Sequence, residues 1–336
     1  MASQLAGSEA RTIASWRDAI DAWSARASGS TSSITGGGAI RALEHAFEDM
    51  LAGRPSLSVG SGTAALAACL IGCGARPGDD VVTSVLDWPA AAQAASWIGC
   101  RSVFADVDPL TLTLSPGAVR AALTRRTSAV IATHLLGVPA DVPAIIDACG
   151  GRALVVEDCA QSVGATLDGR PTGSLGDAAA FSFGPGKDID AGEGGLSSFA
   201  DERHWKSAVG ATQHLVRALA SGLDEPVTQI PTRMHPVAAV LALHELDSLE
   251  SRLAERRAHV EAWLDRHPEV SAPGRDHRRV PSWWQVPARG AGTGAQLALR
   301  LPPGASPSRF PVAVEALRSI RLVDPSSDAT LSPAVI

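Results

Sequence analysis

Apolar residues recur every three or four positions over residues 12–26 (TIASWRDAIDAWSAR), and this spacing predicts an amphipathic helix with Trp16 and Trp23 on one face. The stretch 28–38 (SGSTSSITGGG) reads as a loop, and 39–53 as a second helix stopped by Gly53. From residue 56 the pattern changes. Short, β-branched runs (LSV, VVTSVL, RSVFADV, SAVIATHL, RALVVED) alternate with helical stretches such as PAAAQAASWIG, PGAVRAALTRR and VPAIIDACG. The runs show little polar alternation, as expected of strands covered on both faces. Strand–helix–strand alternation implies right-handed crossovers and a mostly parallel sheet. Residues 164–177 (GATLDGRPTGSLGD) read as a hairpin, followed by strands at 178–183 and 194–200.

Beyond residue 200 the texture differs. The pattern predicts one helix over 202–220, a loop over 221–234 and a single long helix over 235–266. Residues 267–336 are rich in Pro, Gly and Ser. They hold two short strands (WWQVPA, AQLALRL), one helix (PVAVEALRSIR) and a terminal tail, SSDATLSPAVI. The expected organisation is an N-terminal helix and arm (1–33), a large domain (34–234), and a long interdomain helix with a reduced C-terminal domain (235–336).

Composition narrows the function. A chain of 336 residues with 45% hydrophobic and 19% charged content is a folded protein with room for two domains. Its net charge of -6 argues against a nucleic-acid partner, which would want a basic face. No apolar run reaches the roughly 18 residues that span a bilayer, so no membrane is expected. The first residues lack the basic and apolar regions of a secretion signal, and the five cysteines are odd in number without a CxxC pair. A reducing cytoplasm is the expected location, and no metal is expected. Only two of the 29 basic residues are lysines, Lys187 and Lys206, and there is no tyrosine. Arginine can replace lysine at a surface but not where a deprotonated amine is needed.

Three segments carry candidate chemistry. In SVGSGTAAL (58–66) a strand runs into Gly-Ser-Gly-Thr and then an Ala-rich helix. Free backbone N–H groups and hydroxyls at Ser61, Gly62 and Thr63 can hold a phosphate, and the same residues can serve as a plain N-cap. In VVEDCAQS (155–162) a buried strand ends at Asp158, beyond the carboxyl edge where parallel sheets bind ligands. In FSFGPGKDIDAGEGG (181–195) Lys187 sits among glycines that allow close backbone approach and desolvation of its amine. A phosphate cradle, an Asp at a strand end and a crowded Lys are the parts a pyridoxal 5'-phosphate site needs.

These motifs, with ITGGGAIRALEHAF, RPGDDVVTS, VFADVDPLTLTLSP, THLLGVPAD and GSLGDAAAFSF in the same order, resemble the sugar aminotransferase family (DegT/StrS type) of fold-type I pyridoxal-phosphate enzymes over residues 34–260. The resemblance implies an α/β fold, with a mostly parallel seven-stranded sheet flanked by helices and a small α/β C-terminal domain. It implies that Lys187 forms the Schiff base and shuttles the proton. Asp158 would pair with the pyridinium nitrogen, and Gln161 would lie near the phenolic oxygen. Gly62, Thr63 and Ser182 would bind the phosphate, and Trp88 would stack on the ring. His134, Glu193 and Arg233 are candidate substrate residues. The implied reaction moves an amino group from glutamate or glutamine to a ketosugar, ketocyclitol or related small ketone of a biosynthetic, secondary-metabolite pathway. The implied partners are that small-molecule donor and acceptor, in a homodimer with the site at the subunit interface.

Two departures stand out. The family has an Asn two residues before the Arg-Met pair, reaching the neighbouring subunit's phosphate, and here Pro231 and Thr232 occupy that stretch. The part after Lys187 is short for the family and is expected to lack the aromatic residues used there. Another pyridoxal-phosphate reaction on an amino acid, or a non-catalytic heteromeric partner, are the alternative readings.

Overall fold

The computed structural model describes residues 14–25, 34–224, 230–289, 295–296, 309 and 311–323. Seven strands form the central sheet: β1 (Ser56–Val59), β2 (Asp80–Ser84), β3 (Arg101–Ala105), β4 (Thr127–Thr133), β5 (Leu154–Asp158) and, after a hairpin of β6 (Thr166–Leu167) and β7 (Arg170–Pro171), β8 (Ala178–Ser182) and β9 (Gly195–Phe199). Their spatial order is β1-β9-β8-β5-β4-β2-β3. Neighbours from β3 to β8 pair in parallel, while β9 runs antiparallel to both β8 and β1. The connection from β8 to β9 contains no helix, so it cannot make the long crossover that parallel pairing requires.

Helices cover both faces, which is why the strands are buried almost throughout. On one side, α3 (Gly62–Gly72) is apolar all round and buried between the sheet, α4 (Ala90–Trp97) and α7 (Glu202–Thr212). Its contact with α7 needs Gly72, where a Cβ would come within 2.7 Å of the Phe199 ring and of the His204 carbonyl. On the other side a second cluster joins α1 (14–25) and α2 (Ala39–Met50) to Phe181, Phe183 and the helix α9 (Pro236–Asp247). α5 (Pro116–Ala122) and α6 (Val142–Cys149) pack around a third cluster near β4 and β5. No described helix is long and apolar enough to cross a membrane.

Three expected elements differ. The helix expected over 202–220 is two, α7 and α8 (Leu215–Ala220), because Gln213 is extended and His214 Nδ1 accepts the Val216 N–H as a new N-cap. The helix expected over 235–266 is α9 followed by α10 (Leu249–Arg266), broken at Ser248 without Pro or Gly. The final helix, α11 (Pro311–Ser319), stops before Ile320, and β13 (Ile320–Val323) pairs instead with β11 (Val286–Arg289) and β12 (Ala295–Gln296). A two-residue strand, β10 (Arg279–Val280), joins the β6–β7 hairpin. The arm residues 1–13 and 26–33 and the tail 326–336 lie outside the described residues.

A buried carboxylate organises the carboxyl edge of the sheet. Glu157, in β5, accepts backbone N–H groups from Leu175 and Gly176 on Oε1 (2.7 Å each) and from Gly173 on Oε2 (2.8 Å). His134 Nε2 lies 3.0 Å from Oε2, and His134 Nδ1 accepts the Ala140 N–H, which puts the ring proton on Nε2. Burial raises the Glu157 carboxyl, but His134 and the backbone donors outweigh it and hold the group below the usual glutamate range. Glu157→Ala strands these donors in the core and is expected to cost about 3–5 kcal/mol at neutral pH by urea denaturation. A depressed carboxyl contributes stability above its unfolded value, about 4.3, and loses it as pH falls through the folded value. The gap between wild type and Glu157→Ala is therefore expected to narrow below about pH 4.

Candidate active site

The carboxyl ends of β1, β5 and β8 open onto one cavity of about 420 Å3. Its lining includes Ser61, Gly62, Thr63, Trp88, Asp158, Gln161, Ser182, Lys187 and Glu193. Nine of the eleven residues singled out in the sequence thus meet in one space. The other two do not line it. His134 is fully buried against Glu157, and Arg233 is exposed, its backbone bridging to Val59.

The cradle is built by close approach. Ser61 is the N-cap of α3, its Oγ accepting the Ala64 N–H at 3.2 Å. Gly62 opens the helix against Ser182, where a Cβ would stand 2.6 Å from the Ser182 Cβ. Gly195, opposite, would bring a Cβ within 2.4 Å of the Ser61 carbonyl. Helix start, hydroxyls and bare backbone therefore converge where an anion is favoured. Thr232 holds this loop from outside, its carbonyl accepting the Gly60 N–H at 2.7 Å. The Thr232 hydroxyl is buried and has no partner among the described residues.

Asp158 is 6% exposed, and the hydrogen bond on Oδ1 comes from the Ala160 N–H at 3.0 Å. Burial pushes its carboxyl up, opposed by that N–H, by the charge of Lys187 and by the nearby His134. Burial draws the Lys187 ammonium below the ordinary lysine range, opposed by Asp158, Asp188 and Asp87. Asp188, next in the chain, points instead to Arg256 at 2.7 Å. Gln161 Oε1 accepts the Leu136 N–H at 2.6 Å, so its Nε2 donors are the part left for a ligand. Trp88 is 53% exposed and forms a bare aromatic wall.

Three residues, Trp284, Gln285 and Asp87, were not legible in the sequence. The part after Lys187, expected to lack aromatics, supplies Trp284, whose ring lies 4.4 Å from Lys187 Nζ and whose Nε1–H donates to the Gly186 carbonyl at 3.0 Å. Gln285 beside it also lines the cavity. Asp87 sits just outside, bonded to the Thr133 hydroxyl. The His134–Glu157–Cys159 cluster has metal-type ligand atoms, but both Glu157 oxygens are already filled by backbone N–H groups, so it serves as a structural clamp.

A lysine and an aspartate facing a helix-start cradle across a doubly covered parallel sheet define the class, an α/β fold-type I transferase. The chain belongs to the DegT/DnrJ/EryC1/StrS aminotransferase family, whose model matches residues 19–293. It is 34% identical to GDP-perosamine synthase of Caulobacter vibrioides over 230 residues, covering 66% of this chain and 60% of that protein. It is 33% identical to L-glutamine:scyllo-inosose aminotransferase of Streptomyces griseus over 250 residues, covering 70% and 59% respectively. The chain thus spans about three fifths of the length of these relatives. The fold is shared with Spr1654 of Streptococcus pneumoniae solved in a PLP-form, with a TM-score of 0.77 at 19% identity, covering 93% of this chain and 90% of that one.

Gly62→Ala forces rigid backbone and Ser182 apart and is expected to cost about 1–3 kcal/mol of stability. Gly117→Ala, where a Cβ would meet only the Ser115 hydroxyl at 3.8 Å, is expected to leave stability unchanged or slightly raised. Thermal unfolding of the two variants side by side checks this.

Proposed function

We propose that the chain is a pyridoxal-phosphate-dependent aminotransferase that takes an amino group from glutamate or glutamine and gives it to a ketosugar, ketocyclitol or related small ketone in a biosynthetic pathway. The observation that carries this reading is the meeting of Lys187, Asp158 and the Gly62–Ser182 cradle in one cavity, in a member of an aminotransferase family. The names of the relatives, a perosamine synthase and a scyllo-inosose aminotransferase, support a sugar or cyclitol acceptor.

The residues fit the cofactor. A cradle without a Cβ at Gly62 suits its phosphate, held by Gly62, Thr63 and Ser182. A buried carboxyl pushed upward at Asp158 needs a cation, which a protonated ring nitrogen provides. The free Nε2 donors of Gln161 suit a phenolic oxygen. Trp88 offers a flat wall for the ring. Bound there, pyridoxal phosphate supplies a carbonyl that captures amines and an electron sink for the bond being broken.

The protein's own part is positioning and proton transfer. Lys187 provides the amine that holds the cofactor and then the base that moves a proton at the reacting carbon of the substrate. Its lowered pKa keeps more of the amine neutral near pH 7, as a base requires. Trp284 covers Lys187 and limits water at that amine. Glu193 faces the same space and can meet hydroxyl or amino groups of a substrate. The donor leaves as its oxo acid and the acceptor as an amine, in two successive half-reactions. We propose a cytoplasmic homodimer with the site at the subunit interface; the open aromatic face of Trp88 on the cavity wall supports the interface.

Borohydride reduction after incubation with pyridoxal phosphate is expected to fix the label on Lys187 and leave Lys206 unmodified, as read by peptide mass spectrometry. Glutamate or glutamine is expected to bleach the absorbance of the bound cofactor in the wild type. Lys187→Ala is expected to lower turnover by about a thousandfold or more. A wild type that binds the cofactor but bleaches with neither donor would sink transamination.

A further inference from the structure

Asp87 lies in the turn after β2, between the buried strand and the exposed Trp88. Its carboxyl bridges two elements. Oδ1 accepts the Trp88 N–H at 2.7 Å, and Oδ2 lies 2.5 Å from the Thr133 hydroxyl. Thr133 ends β4 and is the register partner of Asp158 on β5. One side chain thus connects the aromatic wall of the cavity to the strand end beside its buried carboxylate.

The groups that face Asp87 are the Trp88 N–H of its own turn, Thr133 from β4, Asp158 from β5 and Lys187 from the loop after β8. Burial and the charge of Asp158 push the Asp87 carboxyl well up, against Thr133, Trp88 and Lys187. A second full negative charge beside Asp158 is therefore disfavoured, and the Thr133 hydroxyl and the Trp88 N–H both donate to the Asp87 carboxyl.

We propose that Asp87 is a positioning residue of this site, whose carboxyl ties the Trp88 turn to Thr133 and so fixes the indole wall in register with the Asp158 carboxylate. The proposal rests on the cofactor reading for what the wall holds, and its geometry stands apart from that reading. An amide can keep the same two contacts, its oxygen accepting from the Trp88 N–H and its nitrogen donating to a Thr133 hydroxyl that turns to accept. Asp87→Asn is thus the conservative replacement and Asp87→Ala the disruptive one.

Two measurements on the full chain decide the matter. In cofactor-free protein labelled with 5-fluorotryptophan, the Trp88 resonance is assigned by Trp88→Phe. Asp87→Ala is expected to shift or broaden that resonance while the other seven tryptophans and the melting temperature hold steady, and Asp87→Asn is expected to leave it in place. Pyridoxal phosphate binding, followed by absorbance, is expected to weaken about tenfold or more in Asp87→Ala and by less than about threefold in Asp87→Asn. An unmoved Trp88 resonance in Asp87→Ala overturns the proposal, as does an Asp87→Asn variant that behaves like Asp87→Ala. If the wild type takes up no pyridoxal phosphate, the cofactor reading fails, and the fluorine spectra still decide the role of Asp87.

Discussion

The site depends on a carboxylate that does not line it. Glu157 is buried one residue before Asp158, and its oxygens are filled by the 173–176 turn and by His134. Without that clamp β5 would carry an unpaired charge into the core, and the strand end that aims Asp158 at the cavity would have no fixed partner. The clamp then propagates along the chain. His134 caps Ala140 and starts the tight turn Leu135–Gly137, in which Leu136 has a positive φ of 59°. Leu136 donates its N–H to Gln161 and its carbonyl accepts from Gln285, while Gly137 accepts the Ser282 N–H. One buried charge therefore sets the edge of the sheet, the orientation of the Gln161 amide and the docking of the late segment that brings Trp284 over Lys187.

Gly137 shows how little slack this arrangement has. A Cβ there would fall within 2.8 Å of Ser282 Oγ and of the backbone nitrogens of Trp283 and Trp284, and the residue already has a φ of 85°. The late segment can approach only because that position is bare. Trp283 itself takes a positive φ of 53° while buried, a conformation that costs about 1–3 kcal/mol for a bulky residue and persists only where packing demands it. Strain in the 281–285 segment thus offsets what is gained by closing the cavity with an indole.

Much of the site was legible because its signals are local. The Gly-Ser-Gly-Thr helix start, the Glu-Asp strand end and the lysine among glycines each occupy a few consecutive residues with a backbone reason for being there. The sheet was legible for the same reason, since unbroken β-branched runs mark doubly covered strands. What escaped depends on distance or on side-chain geometry. Trp284 reaches Lys187 from far along the chain, through contacts at Leu136 and Gly137 that no period encodes. Asp87 reads as a polar turn residue until its carboxyl is seen between Trp88 and Thr133. The breaks at Gln213 and Ser248 escaped because neither has the Pro or Gly that marks a helix end, and His214 caps with a ring nitrogen rather than a hydroxyl.

The division of labour among the cations explains why two lysines suffice. Buried or partly buried ion pairs are made by arginine: Arg217 grips both oxygens of Glu44 at 2.8 Å, Arg101 both oxygens of Asp80 at 2.9 Å, and Arg256 neutralises Asp188 beside the site. Guanidinium suits these places because it stays charged and its fork matches a carboxylate. Lys206 sits on the exposed face of α7, one turn from Glu202 at 3.1 Å, where arginine would serve as well. Lys187 alone stands where a permanent charge would be a defect. Burial there favours losing the proton, against the pull of Asp158, Asp188 and Asp87, of which Asp188 is shared with Arg256 and Asp87 and Asp158 resist carrying two full charges. Burial outweighs the three carboxylates and shifts the balance toward a neutral amine, which arginine could not provide at any attainable pH.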